Sequence, residues 1–197
     1  MRGAPPGRAD DQIDTPRLIM RPFRPGDGPA HARMYADPEV TRFLPRGPFG
    51  PTEAAERSRS ALERFMAHWR EHGFGVWAVL DRDTGVLVGQ CGLARVPALG
   101  EVELLYALVQ ARWRQGLAPE AGRAALDHAF RRLQLARVVA LARADNRGSL
   151  RVMDKLGLAY ERDVHVFGLD AVCYAVSRQR FLDGGEAAPP PPPNPTR

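Results

Sequence analysis

From Arg17 to Phe23 (RLIMRPF) apolar residues alternate with basic ones, a period of two that predicts a strand ended by Pro25 and Gly26. Asp27 stands where it would cap a helix running to about Tyr35. A short helix over 38–44 and a stiff loop over 45–51 (PRGPFGP) follow. Ala54, Ala61, Leu62, Phe65, Met66 and Trp69 then recur at three- and four-residue spacing, the mark of a long amphipathic helix opened by Thr52 and Glu53 and stopped by Gly73. Three strands are expected next, over 75–80 (GVWAVL), 86–96 (VLVGQCGLARV) and 101–109 (EVELLYALV). The third runs into ARWRQGLAPEA, which opens a helix to about Leu133. The run RVVALA (137–142) reads as a buried strand, and 146–156 as a helix stopped by Gly157. Two closing strands are expected over 164–169 and 171–177. This order predicts an α/β fold, a mixed sheet with helices on both faces.

The 197 residues suit one domain with tails, and 44% hydrophobic with 26% charged residues suits a packed core. Residues 1–11 read as a flexible polar arm and 184–197 (GGEAAPPPPPNPTR) as a Pro-rich disordered tail, leaving 12–183 as the domain. No run is long and apolar enough for a membrane span, and 1–14 contain no apolar segment of the secretory type, so a cytoplasmic location is expected. Cys91 and Cys173 lie far apart, which excludes a disulfide scaffold and a cysteine zinc site. The 28 basic residues against 23 acidic give a net charge of +5, and only Lys155 among the 28 is lysine. Arginine, alanine, glycine and proline share GC-rich codons, so base composition explains the bias as well as an anionic partner does. The arginines are spread along the chain, which argues against nucleic acid as a partner except through a ribosome.

Two stretches carry candidate chemistry. In ELLYALVQARWRQGLAPEA (103–121) a strand feeds a loop, and Gly116 stands at the start of a helix. The first amides of a helix lack intrahelical acceptors and lie at the positive end of its dipole, where a diphosphate docks. Gly116 and Ala118 leave room for that approach, and Arg112 and Arg114 add charge. In RADNRGSLRVMDKLGL (143–158), Leu150, Met153 and Leu156 share a face and read as core, while Asn146 and Ser149 are either cap residues or ligand contacts.

Together these stretches resemble the GNAT superfamily of acetyl-CoA-dependent N-acetyltransferases, in particular the branch that acetylates the N-termini of ribosomal proteins. The resemblance starts at TPRLIMRP (15–22), continues through DPEV (37–40), WAV (77–79), TGVLVG (84–89) and CGL (91–93), reaches WRQGLAPEA (113–121), and ends with NRGSLRVMDKLG (146–157) and the strand near Tyr174. It covers about 165 residues in order. Members of this branch commonly carry glycine where Arg114 stands, and Leu105 replaces a frequent glycine before Tyr106. Arg114 is expected to add a phosphate contact.

The resemblance implies a mostly antiparallel sheet splayed at the cofactor site. It implies direct transfer of acetyl from acetyl-CoA to a primary amine, leaving coenzyme A. Amides around Leu108 and Val109 are then expected to face the thioester, and those of Gln115, Gly116, Leu117 and Ala118 the pyrophosphate. Asn146 is placed against the pantetheine arm and Ser149 at the departing thiolate. Glu103 is the candidate base, with an ion pair to an arginine as its structural alternative. Tyr106 is expected to be core, and Glu161 and His165 are secondary candidates near the acceptor. The acceptor is a protein N-terminus or a small molecule such as an amino acid, polyamine or antibiotic. The rival class is a non-catalytic acyl-CoA-binding regulatory domain. A homodimer is compatible with this reading.

Overall fold

A computed structural model describes residues 11–184. All of the expected arm but Asp11, and all of the expected tail but Gly184, lie outside the described residues. In chain order the elements are β1 (Ile13–Asp14), β2 (Leu18–Pro22), α1 (Gly28–Tyr35), α2 (Pro38–Thr41), α3 (Pro51–His72), β3 (Val76–Asp81), β4 (Leu87–Val96), β5 (Glu101–Leu108), α4 (Leu117–Asp127), β6 (Arg137–Ala142), α5 (Arg147–Lys155), β7 (Ala159–Val166), β8 (Leu169–Ser177) and α6 (Arg178–Leu182). They build one eight-stranded sheet in the order β1-β2-β3-β4-β5-β6-β8-β7. Every pairing is antiparallel except β5 with β6.

Side chains of a strand alternate between faces, and this sheet buries both. Leu104 and Leu108 of β5 and Cys91 and Leu93 of β4 face the main core, with Leu117, Ala121, Ala125 and Leu126 of α4 and Met153 of α5. Gly122 lets α4 and α5 close together, because a Cβ there would stand 2.7 Å from Leu156 Cδ1. On the opposite face α1 and α3 pack Met34, Tyr35, Ala54, Ala61 and Leu62 against the sheet. The long helix ends where the sequence predicts: Gly73 takes φ +73° and its amide donates to the Trp69 carbonyl. The Trp69 indole N–H then donates to Val76 O at 2.9 Å, which sets the entry into β3.

Three expectations change. Asp27 does not cap α1. Its carboxylate pairs with both terminal nitrogens of Arg21 (2.7 and 2.8 Å) and accepts from the Arg24 amide, and a bidentate charged pair outweighs a neutral cap bond. The helix opened by Gly116 leaves α geometry after Asp127 and continues as a π turn over His128–Arg132. The closing hairpin is longer than expected, with β7 starting at Ala159 and a two-residue turn at Phe167 and Gly168, both at positive φ. The run ERDVH lacks an apolar alternation because β7 is an edge strand, where exposed charge blocks edge-to-edge pairing.

Burial keeps three histidines neutral. His31 is fully buried, its Nε2–H donating to Gln90 Oε1 and its Nδ1 accepting from Ser58 Oγ, both at 2.7 Å. Ser58 is buried with it, so this trio holds α1 and α3 onto β4 and offers no nucleophile. Burial lowers the pKa of His31 and His68 and takes His128, whose Nε2 has no partner, down to about 4. A histidine with a depressed folded-state pKa contributes its full stability above the unfolded value near 6.5 and loses it as pH falls toward the folded value. Between pH 6.5 and 4.5 the His128→Phe protein, which keeps the edge-on ring contact with Trp77, should lose about 2–3 kcal/mol less stability than the wild type. Urea midpoints at the two pH values measure the difference, and equal losses would show that His128 protonates freely in the fold.

Candidate active site

Strands β5 and β6 run parallel but share a single register pair, Glu103 with Val139. Beyond it they part, and β5 keeps a neighbour on one edge only, β4. In an antiparallel pair alternate residues exchange both backbone bonds with the neighbour. The Val109 amide donates to Val88 O at 2.9 Å, so the odd-numbered positions of β5 bond toward β4. The amides of Tyr106 and Leu108 therefore point to the open edge. The Leu108 carbonyl also turns that way, and it accepts the Trp113 indole N–H at 2.8 Å. The expectation for Val109 does not hold, because its amide is spent inside the sheet, whereas that of Tyr106 faces the open edge.

The strand ends in a tight loop. Arg112 and Trp113 donate back to Val109 and Gln110, and the chain then passes through two left-handed residues, Arg114 (φ 61°) and Gly116 (φ 78°), before α4 starts at Leu117. A left-handed residue favours glycine, so Arg114 holds its side chain in a conformation that costs a residue with a Cβ. The Glu120 amide returns to the Gly116 carbonyl, and Pro119 has no amide to offer. The amides of Gln115, Gly116, Leu117 and Ala118 make no backbone bond within the described residues, which suits them to an anion. Of the two arginines expected to add charge here, Arg112 is tied to Asp81 at 2.8 Å. Arg114 is exposed, with no hydrogen-bond or ion-pair partner among the described residues.

Helix α5 faces this opening from the end of β6. Asn146 is its cap: Asn146 Oδ1 accepts from the Ser149 amide at 3.1 Å. That is the structural alternative the sequence offered, and it commits the side-chain oxygen while leaving its NH₂ group uncommitted. Ser149 meets Tyr106. The Tyr106 hydroxyl lies 3.0 Å from the Ser149 carbonyl, to which it donates, and 2.9 Å from Ser149 Oγ. Tyr106 thus packs its ring against the main core, as expected, and also carries a polar contact across the fork that its apolar neighbours did not signal. Burial raises its pKa, so at neutral pH it is a phenol and a proton donor.

Glu103 points to the other face of the sheet, opposite Ala94 and beside Leu105 and Ala107. The expected alternative, an ion pair with an arginine, does not form: Glu103 has no hydrogen-bond or ion-pair partner among the described residues. Burial without compensation pushes its pKa up to about 8. Carboxylate and Tyr106–Ser149 pair thus stand on opposite faces of the sheet, at the two sides of one opening. Glu161 and His165 are elsewhere, on β7. Glu161 pairs with Arg137 and Arg162, and His165 Nδ1 lies 2.8 Å from Asp170 in the exposed hairpin. Among the described residues no cluster of histidine, cysteine, aspartate and glutamate is arranged to hold a metal.

The fold that carries this forked pair is one that known proteins share. Residues 17–159 match the family model described as an acetyltransferase (GNAT) domain. The chain belongs to the GNAT acetyltransferase family. It is similar to YkkB of Bacillus subtilis, at 32% identity over 84% of this chain and 95% of YkkB. An acetyltransferase structure from Agrobacterium tumefaciens is 26% identical and superposes with a TM-score of 0.74 over 84% of this chain and 93% of its own. The fold is also that of Mycobacterium smegmatis RimJ, solved in complex with CoA-disulfide, at 22% identity and a TM-score of 0.67 over 85% and 88% of the two chains. The enzyme is an acyl-CoA-dependent N-acetyltransferase, moving acetyl from acetyl-CoA to an amine. Among the described residues no helix is long and apolar enough to cross a membrane.

Proposed function

We propose that the acceptor is the α-amine of a peptide or protein N-terminus and that it attacks the thioester directly. The observation that carries this reading is Glu103, a half-buried carboxyl without a partner at the base of the fork, with a pKa of about 8. A peptide α-ammonium titrates at about 7.7–8.0 and a lysine side chain near 10.4. Proton transfer to Glu103 is therefore easier from an α-ammonium than from a lysine side chain. Glu103 takes the ammonium proton, directly or through one water, and the freed lone pair forms the C–N bond. The Tyr106 and Leu108 amides on the open edge donate to the thioester and pantetheine groups. As the C–S bond breaks, the Tyr106–Ser149 pair supplies a proton to sulfur. The amides of Gln115 to Ala118 and the Arg114 guanidinium hold the diphosphate, and the Asn146 NH₂ group faces the pantetheine arm.

The test is an acceptor panel of short peptides with free or blocked N-termini, lysine side chains, polyamines and aminoglycosides, read by coenzyme A release. The expected result is turnover that requires a free peptide N-terminus. Turnover confined to polyamines or aminoglycosides would replace the acceptor assignment.

Arg114 gives a separate expectation. Arg114→Gly removes a left-handed side chain at a cost of about 1–2 kcal/mol in the wild type, partly offset by the unfolded-state entropy of glycine. The melting temperature should rise by about 1–3 °C while coenzyme A affinity falls about three- to tenfold. Unchanged affinity by calorimetry would show that the side chain makes no phosphate contact.

A further inference from the structure

The phosphate loop is held from outside by the segment before β2. Glu120, in the first turn of α4, receives four donors from that segment: Thr15 Oγ1 at 2.6 Å, the Arg17 amide at 3.0 Å, Arg17 Nε at 2.7 Å and Arg17 Nη2 at 2.6 Å. The same guanidinium reaches past Glu120, and its Nη1 donates to the Gln115 carbonyl at 2.8 Å. Its Nη2 also lies 3.4 Å from where a Cβ on Gly116 would stand. One arginine thus ties the carbonyl that precedes Gly116 to the carboxylate that follows it, and Thr15 completes the grip.

Two physical consequences follow. A carboxylate in the first turn of α4 is favourable for the helix alone but repels a diphosphate that needs the same positive end. Arg17 cancels that charge where it stands. In addition, fixing the Gln115 carbonyl on the Arg17 side fixes the peptide plane between Gln115 and Gly116, and hence the direction of the Gly116 amide. A loop with one glycine and one arginine in left-handed conformations has few internal restraints to do this.

We infer that Arg17 is a positioning residue for the diphosphate of the acyl donor, acting through the Gln115 carbonyl and Glu120, with Thr15 orienting Glu120. This rests on the assignment of the 115–118 amides to the diphosphate. A lysine cannot replace it, because an ammonium is a single point and does not span the Gln115 carbonyl and Glu120 Oε2 in a fixed plane.

The experiment compares kcat and KM for acetyl-CoA and for acetyl-pantetheine, which has the same thioester and no diphosphate, in the wild type, Arg17→Ala and Arg17→Lys. Wild-type enzyme should prefer acetyl-CoA by at least about tenfold in kcat/KM; equal use of the two donors would overturn the loop assignment itself, and this inference with it. With that preference present, both variants should raise KM for acetyl-CoA by about tenfold with kcat nearly unchanged, and leave acetyl-pantetheine kinetics within about twofold. Thr15→Val, which removes only one donor to Glu120, should give a smaller shift in the same parameter. Equal losses for the two donors would mean that Arg17 serves the fold alone, and wild-type kinetics in Arg17→Lys would mean that charge without orientation suffices; either result overturns the proposal.

Discussion

Glu103→Gln should lower kcat by about 10²- to 10⁴-fold, the usual contribution of a positioned base, and at the same time make the protein more stable. The two effects share one cause. A carboxyl whose folded-state pKa is raised contributes stability that is complete below its unfolded value near 4.5 and lost as pH rises toward about 8. At pH 8 the wild type therefore carries the cost of an unpaired, half-buried carboxyl. After allowance for solvent at this position the cost is about 1–2 kcal/mol, and glutamine removes it. The melting temperature should rise by a few degrees at pH 8 and much less at pH 4.5. In the wild type kcat/KM should peak near pH 8, because the ionised base and the ammonium form of the acceptor are both required, and in the variant the residual activity should follow the titration of the acceptor amine alone. Lower activity with no gain in stability would mean that Glu103 is paired in solution.

Ser149→Ala and Tyr106→Phe should each lower kcat about 10- to 100-fold, and the double variant should be little worse than the more damaging single one. The hydroxyls are 2.9 Å apart, and groups that pass one proton act as a unit, so their losses do not add. The cap bond of α5 runs from the Ser149 amide to Asn146 Oδ1 and survives in Ser149→Ala, so its stability should change by less than about 1 kcal/mol. Asn146→Ala removes that cap and should cost about 1 kcal/mol while raising the KM for acetyl-CoA. Additive losses in the Tyr106 and Ser149 cycle, measured by steady-state kinetics with coenzyme A release, would separate the two hydroxyls into independent roles.

Much of this site was legible in the chain because its information is local. A strand running into Gly116 and a helix places the phosphate loop, and Asn146 followed by Ser149 at the start of a periodic stretch places α5. Strand parity puts Glu103 and Tyr106 on opposite faces. Parity alone does not say which edge a backbone amide serves. That depends on the register with β4, which turns the Val109 amide into the sheet and the Tyr106 amide to the open edge. Arg17 was invisible as a loop residue because its partner Glu120 lies 103 positions away and both look like ordinary surface charges. The edge strand β7 escaped for the opposite reason: its composition answers the need to block further pairing, which conceals the strand pattern.

Acetyl should move to a free N-terminal amine under the control of Glu103. The most direct measurement follows acetyl-CoA consumption with a peptide bearing one free N-terminus and one lysine, across pH 6 to 9, with the product mapped by mass spectrometry. The predicted result is a single acetyl group on the N-terminal nitrogen, formed at a rate that peaks near pH 8 in the wild type and is nearly lost in Glu103→Gln. Acetyl on the lysine alone, or an unaltered rate and pH profile in Glu103→Gln, would contradict it.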